Sequence, residues 1–219
     1  MSGGAELEDD QVRALVRDGY DAVAPRYAAY AAGPTSHPRH TWLATLLERT
    51  PRAAEVLELG CGPGVPAAAA IVAAGHRFTG VDISAGQLDI ARRLVPGATF
   101  VEADMMTLEV PPSSFDAVVA FYSLIHVPRR HYPTLFSRIR AWLRPGGWFL
   151  ASFGTGDSPG WIEDDLLGLG APNWTNSHDP AETGRLLREA GLVAERSEVV
   201  VQDEPTGAER WLYVLARPA

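Results

Sequence analysis

Between residues 54 and 154 the chain alternates strand-like and helix-like segments, and this rhythm limits the possible folds more than any other feature. AEVLELG (54–60), HRFTGVDI (76–83), ATFVEADM (98–105), FDAVVAFY (115–122) and WFLASFG (148–154) are short apolar runs rich in β-formers. A helix from near Pro66 to Ala74, SAGQLDIARRLV (84–95) and YPTLFSRIRAWL (132–143) lie between them. Strands joined through helices become parallel neighbours, so the segment reads as a doubly wound α/β sheet covered on both faces. The tail breaks the rhythm. After the helix AETGRLLREAG (181–191), the runs LVAERSEVVVQ and AERWLYVLARP flank the turn DEPTG, which predicts an antiparallel hairpin closing the sheet.

Local signals support these segments. Ser84 with Gln87, and Asp179 with Pro180 and Glu182, have the spacing of helix-capping boxes. Pro66 suits a first helical position, where its missing N–H costs nothing. Residues 10–31 read as an amphipathic helix weakened at Pro25, AGPTSHP (32–38) as a loop, and 39–50 as a helix with Trp42, Leu43, Leu46 and Leu47 on one face. The connection from Gly154 to Ala181, about 28 residues, is long for structureless chain and reads as a lid or binding loop.

Composition removes several functions. All 19 basic residues are arginine, so Schiff-base chemistry, a pyridoxal-phosphate anchor and a P-loop lysine are excluded. A net charge of −8 argues against nucleic-acid binding, which needs a basic face. No apolar run is long enough to span a bilayer, and the acidic start MSGGAELEDDQ does not read as a secretory signal. Cys61 is the sole cysteine, which makes a reducing cytoplasm the expected location. No cluster has metal-ligand spacing, and the oligomeric state is not readable.

The chemistry concentrates at strand ends. VLELGCGPG places Gly60, Gly62 and Gly64 between the first strand and its helix, where backbone can approach a ligand closely. A dinucleotide fingerprint, G-x-G-x-x-G, would need glycine at Val65. Glu58, two residues before the loop, would repel a pyrophosphate and fits better beside an ammonium group. Asp82 ends the second strand 24 residues after Glu58, where a carboxylate can accept ribose hydroxyls. Asp104 closes the third strand, with Met105 and Met106 after it, which suits adenine.

These residues, in the order VLELGCGPG…GVDIS…EADM…FDAVVAFYSLIHV…LRPGG, resemble the class I S-adenosylmethionine-dependent methyltransferases over roughly residues 54–219, and among them the small-molecule type. The resemblance implies a Rossmann-like seven-stranded sheet whose last strand is antiparallel, and S-adenosylmethionine as cofactor. It places the methionine portion on Glu58 and the loop Gly60, Cys61, Gly62 and Gly64. The ribose falls to Asp82 beside Ile83, and adenine to Asp104 with Met105. Phe121 lines the methyl-donor pocket. GYDAVAPRYAAY (19–30) is similar to the lid helix of these enzymes, with Tyr20 and Tyr27 closing over the methionine end. The chain thus divides into an N-terminal helical lid or substrate cap (1–50) and a methyltransferase domain (51–219), the 154–181 loop contributing to the substrate site.

Two histidines are candidate general bases. His126 follows the fourth strand opposite the glycine loop. His178 precedes the last helix, and similar small methyltransferases tend to carry a Ser-His pair there. Packing is an equal alternative for each. Phe121-Tyr122-Ser123-Leu124 stands where DNA amino-methyltransferases carry Asn/Asp-Pro-Pro-Tyr/Phe, so a nucleobase acceptor is disfavoured. The expected reaction is in-line methyl transfer to an oxygen or nitrogen of a small, partly apolar or aromatic molecule, plausible in bacterial specialised metabolism. An anionic acceptor held by Arg26 or Arg129 stays open, as does a cofactor-dependent reaction without methyl transfer, such as cyclisation. A non-catalytic binding subunit and a nicotinamide dehydrogenase fit the motifs less well.

Overall fold

The fold is built on a seven-stranded sheet, seen in a computed structural model that describes residues 7–33, 37–204 and 207–219. The strands are β1 (Glu55–Leu59), β2 (Arg77–Asp82), β3 (Thr99–Glu102), β4 (Phe115–Ala120), β5 (Leu143–Gly154), β8 (Leu192–Glu204) and β9 (Gly207–Pro218), with β6 and β7 in a separate hairpin. Their order is β3-β2-β1-β4-β5-β9-β8, and only β9 runs against its neighbours. The expected parallel sheet with an antiparallel terminal hairpin is therefore present. Parts of the predicted 32–38 loop and of the DEPTG turn lie outside the described residues, as does the start of the N-terminal segment.

Alternation along each strand sorts the core into two layers. Leu57, Leu59, Val118 and Ala120 face α5 (Tyr132–Trp142) and α6 (Pro180–Glu189). Val56, Ala117 and Val119 face α2 (Pro38–Leu47), α3 (Ala67–Ala73) and α4 (Ala85–Leu94). Trp42, Leu43 and Leu46 are buried in the second layer, so α2 is part of the core. The long helix α1 (Asp9–Ala31) continues through Pro25 and lies across the carboxyl ends of β2 and β3. Between β1 and β4 the chain reverses its direction of winding, which leaves a crevice at their carboxyl ends.

Three local readings need correction. Pro66 is the residue that caps α3, with the helix beginning at Ala67. The 154–181 connection is ordered as its own antiparallel hairpin, β6 (Ser158–Glu163) with β7 (Asn173–Ser177). Pro159 and Gly160 hid β6, the polar run NWTNS hid β7, and the β6–β7 register shifts between Ser158 and Trp161. Ser84 and Asp179 do cap their helices, accepting from Gln87 N at 3.1 Å and Glu182 N at 2.8 Å. Their partners' side chains, however, turn elsewhere: Gln87 donates to the Tyr20 carbonyl and Glu182 pairs with Arg185.

Candidate active site

The crevice holds a cavity of about 370 Å³. Its floor is the β1–α3 turn, where Gly60, Gly62 and Gly64 adopt φ of 69°, 52° and 74°. At Gly60 the need is double, since a Cβ there would lie 2.3 Å from the Ser123 Cβ. The turn's N–H groups are already engaged: Gly60 and Cys61 donate to the Val81 carbonyl at 2.8 and 3.0 Å, and Gly62 to Asp82 Oδ2 at 2.7 Å. A pyrophosphate would find no free donors among these three.

Asp82 is held as a fixed acceptor at the cavity wall. Besides Gly62 N, its Oδ1 accepts from Ser84 N at 2.9 Å. Burial pushes its carboxyl up to about 6, against the pull of the Ser84, Gly62 and Ile83 N–H groups. Asp104 also lines the cavity, with Oδ1 accepting from Met106 N at 2.8 Å and Oδ2 from Arg13 Nε at 2.7 Å. Arg13, on α1, was not a candidate from sequence, because only the docking of α1 brings it 91 residues along the chain to Asp104.

The opposite wall comes from α1 and the end of β4. Tyr20, Tyr27, Phe121 and His126 all line the cavity, as do Ile83 and Met105. Tyr20 meets Tyr27 and His126 edge-on, with ring centroids 5.1 and 5.3 Å apart. Tyr122, between Phe121 and Ser123, sits at φ 57°, an uncommon conformation for a bulky residue. Its N–H donates to Ser152 Oγ at 2.8 Å and its hydroxyl joins Tyr213 and Gln202 behind the cavity. No sequence signal pointed to that network.

His126 is fully committed to hydrogen bonds within the protein. Nδ1 is 2.7 Å from the Trp174 carbonyl and Nε2 is 2.8 Å from the Tyr20 hydroxyl. Burial lowers its pKa to about 4, so the ring is neutral at pH 7.

Four sequence candidates lie away from the cavity wall. Glu58 points into the α2–α3 layer; it is 3% exposed, and its Oε2 has no partner. Burial pushes its carboxyl up to about 8, with Arg39 pulling the other way. Cys61 turns its thiol toward Gly80 in the core, and burial raises its pKa well above the ordinary thiol value. Gly64 packs against Phe100, Ala91 and Val95. His178, at the end of β7, has Nδ1 held by Arg129 at 2.8 and 3.1 Å while its Nε2 is buried without a partner. Arg129 also pairs with Asp157 at 2.7 Å, and Arg26 bonds back to the Ala22 carbonyl.

A family model described as "Methyltransferase domain" matches residues 56–147, the span that carries the glycine turn, Asp82, Asp104 and the β4 end. Residues 56–147 thus carry a methyltransferase domain, which supports the class I S-adenosylmethionine-dependent resemblance. One similar protein is the 27-O-demethylrifamycin SV methyltransferase of Amycolatopsis mediterranei (strain S699), 36% identical over 160 residues, covering 67% of this chain and 57% of that one. The Burkholderia thailandensis 1,6-didemethyltoxoflavin-N1-methyltransferase, solved with 1,6-didemethyltoxoflavin and S-adenosylhomocysteine, has the same fold, with a TM-score of 0.73, 24% identity, and coverage of 100% of this chain and 93% of that one. So does the [4+2]-cyclase SpnF, with a TM-score of 0.69, 18% identity and coverage of 93% and 97%. The chain spans from 26% to 71% of the length of the first curated relatives it matches.

The residues around the cavity fit S-adenosylmethionine. From the glycine turn the cavity runs past the Asp82 carboxylate to Asp104 and Met105, which is the order amino-acid end, ribose and adenine require. Glu58, buried in the α2–α3 layer with its carboxyl pushed up to about 8, takes no part in that wall.

Proposed function

We propose that this chain transfers a methyl group from S-adenosylmethionine to an oxygen or nitrogen of a small molecule. The observation that carries the reading is the single cavity joining the glycine turn, the backbone-held Asp82 and Asp104. When bound, the cofactor supplies an electrophilic methyl group on a sulfonium cation. Asp82, its lone pairs oriented by two N–H groups, accepts the ribose hydroxyls. Asp104, Ile83 and Met105 take the adenine, Gly60 and Gly62 let the amino-acid end lie against backbone, and Phe121 and Tyr27 close its sides. Helix α1 is the lid that excludes water, and the remainder of the chain is its methyltransferase frame. The cytoplasm is the expected setting for a chain with one buried thiol.

The general-base role does not pass to either predicted histidine. His178 is outside the cavity wall, and both nitrogens of His126 are engaged. Rate enhancement then rests on alignment of nucleophile and methyl carbon, an effect worth up to about 7–11 kcal/mol. A free amine or an already ionised oxygen suits such a site.

A second cavity, of about 700 Å³, supports an apolar or aromatic acceptor. It lies between the start of α1 and the β6–β7 hairpin, is walled by Trp161, Ile162 and Trp174, and shares Val12 and Pro128 with the first. Trp161 and Ile162 are both 49% exposed. The named activity of the rifamycin-modifying relative supports an acceptor from bacterial specialised metabolism. Incubating the chain with S-adenosylmethionine and a panel of aromatic alcohols and amines, with mass-spectrometric detection, tests the reading. S-adenosylhomocysteine and methylated product should appear in equal amounts. A product isomeric with its substrate, with no S-adenosylhomocysteine, would overturn it in favour of cyclisation.

A further inference from the structure

We propose that His126 is a positioning residue that takes the Tyr20 proton, leaving the Tyr20 oxygen at the cavity wall as a pure acceptor that selects the sulfonium cation over the neutral thioether product. This rests on the cofactor reading above. Its argument is one of proton counting. The Trp174 carbonyl has no proton to give, so the 2.7 Å contact requires that Nδ1 carry the hydrogen. A neutral imidazole has only one N–H, so Nε2 is a bare lone pair. Tyr20, 2.8 Å away, must therefore donate its single proton to Nε2. What remains on its oxygen is lone-pair density, and Tyr20 and His126 both line the cavity that Asp82 and Gly62 line.

The arrangement is held from three elements, so the oxygen cannot reorient easily. Tyr20 is on α1, where its carbonyl accepts from Gln87 Nε2 and the adjoining Gly19 packs against the Pro172 carbonyl. His126 belongs to the short helical turn Leu124–His126 after β4, and Trp174 to β7. Of the other groups facing the pair, the Tyr27 hydroxyl hydrogen-bonds to that of Tyr20; with the Tyr20 proton on His126 it must be the donor, which takes one lone pair of the Tyr20 oxygen and leaves the second for the cavity. Tyr27 meets Tyr20 edge-on, and Asp82 and Glu163 add negative charge that disfavours a tyrosinate. A neutral oxygen with its dipole's negative end turned inward interacts favourably with a sulfonium and its polarised C–H groups. Once the methyl group has left, the thioether is neutral and that attraction is gone, which favours product release.

Calorimetric titration of S-adenosylmethionine and S-adenosylhomocysteine separately, with no acceptor present, tests this. Tyr20→Phe should lose about five- to tenfold in affinity for S-adenosylmethionine and less than about twofold for S-adenosylhomocysteine. His126→Phe, which frees the Tyr20 proton to turn into the cavity, should shift the ratio in the same direction. His126→Gln should restore it, because the amide can donate to Trp174 and accept from Tyr20 at once. Nitrogen NMR of the wild-type ring should show a neutral imidazole protonated at Nδ1 throughout pH 5.5–8. Equal losses for both ligands, no loss, or a ring protonated at Nε2 would overturn the proposal while leaving the cofactor reading intact. Wild-type protein that binds neither ligand would overturn both.

Discussion

At the scale of single residues, burial of ionisable groups governs the behaviour expected on titration. His126 has its pKa lowered to about 4 by burial, below the ordinary histidine value of 6.5. The folded state therefore binds fewer protons than the unfolded one, and stability falls as pH drops from about 6.5 toward 4. Replacing it by glutamine should flatten that slope, which is worth up to about 3 kcal/mol over the range, as read from urea melts at pH 7 and pH 4.5. Glu58 has the opposite sign. Its carboxyl is pushed up to about 8, so its contribution is present below pH 4.5 and lost as pH rises through 8. Glu58→Gln should accordingly raise Tm at pH 8.5, and the gain should shrink steadily toward pH 5. The acids at strand ends were legible in the sequence because their positions follow from strand length and alternation alone. The orientation of Glu58 into the α2–α3 layer follows from that same alternation, since Val56 and Glu58 share a face. The hydrogen-bonding state of His126 was not legible: it depends on Tyr20 and Trp174, 106 and 48 residues away.

Among the elements, α1 is the one whose attachment decides access to the cavity. Three acid-centred contacts pin it across the crevice. Asp9 bonds Arg130 and His131, Arg13 bonds Asp104, and Asp21 accepts from Ser84 Oγ at 2.5 Å and Gly86 N at 2.9 Å. The last two come from the first turn of α4, where a carboxylate is favoured by the helix end. Gly19 lets α1 and the chain before β7 meet backbone to backbone: a Cβ there would lie 2.4 Å from the Pro172 oxygen. Gly19→Ala should cost about 1–3 kcal/mol, seen as a lower Tm and as faster amide exchange in both α1 and β7. Loss of protection in α1 alone would show that the two elements open separately. The helical period identified α1 and its buried Val12, Val16 and Val23, but not the ion pairs, because exposed Asp and Arg at helix positions carry no record of their partners. The β6–β7 hairpin escaped notice for another reason. Its six-residue strand β6 is interrupted by Pro159 and Gly160, its five-residue strand β7 is mostly polar, and Gly160 is what lets the Trp174 ring lie against the β6 backbone.

For the whole molecule, the sheet order divides the labour. Apart from Tyr20 and Tyr27 on α1, everything proposed to hold the donor hangs on β1 to β4 and their carboxyl ends, while the second cavity is built from the start of α1, the turn after β4 and the hairpin inserted after β5. The donor half was readable because parallel strands fix where their ends must lie. The acceptor half was not, because its walls come from segments without periodic pattern. The glycine turn that first marked the chain also has a less obvious consequence. With the N–H groups of Gly60, Cys61 and Gly62 all bonded to β2, the turn meets its ligand with shape and no vacant donor of its own there. It is a gauge of clearance, and chemical discrimination is left to side chains around it. A chain that kept these glycines but exchanged Asp82, Asp104 and Tyr20 would retain its architecture and lose its vocabulary.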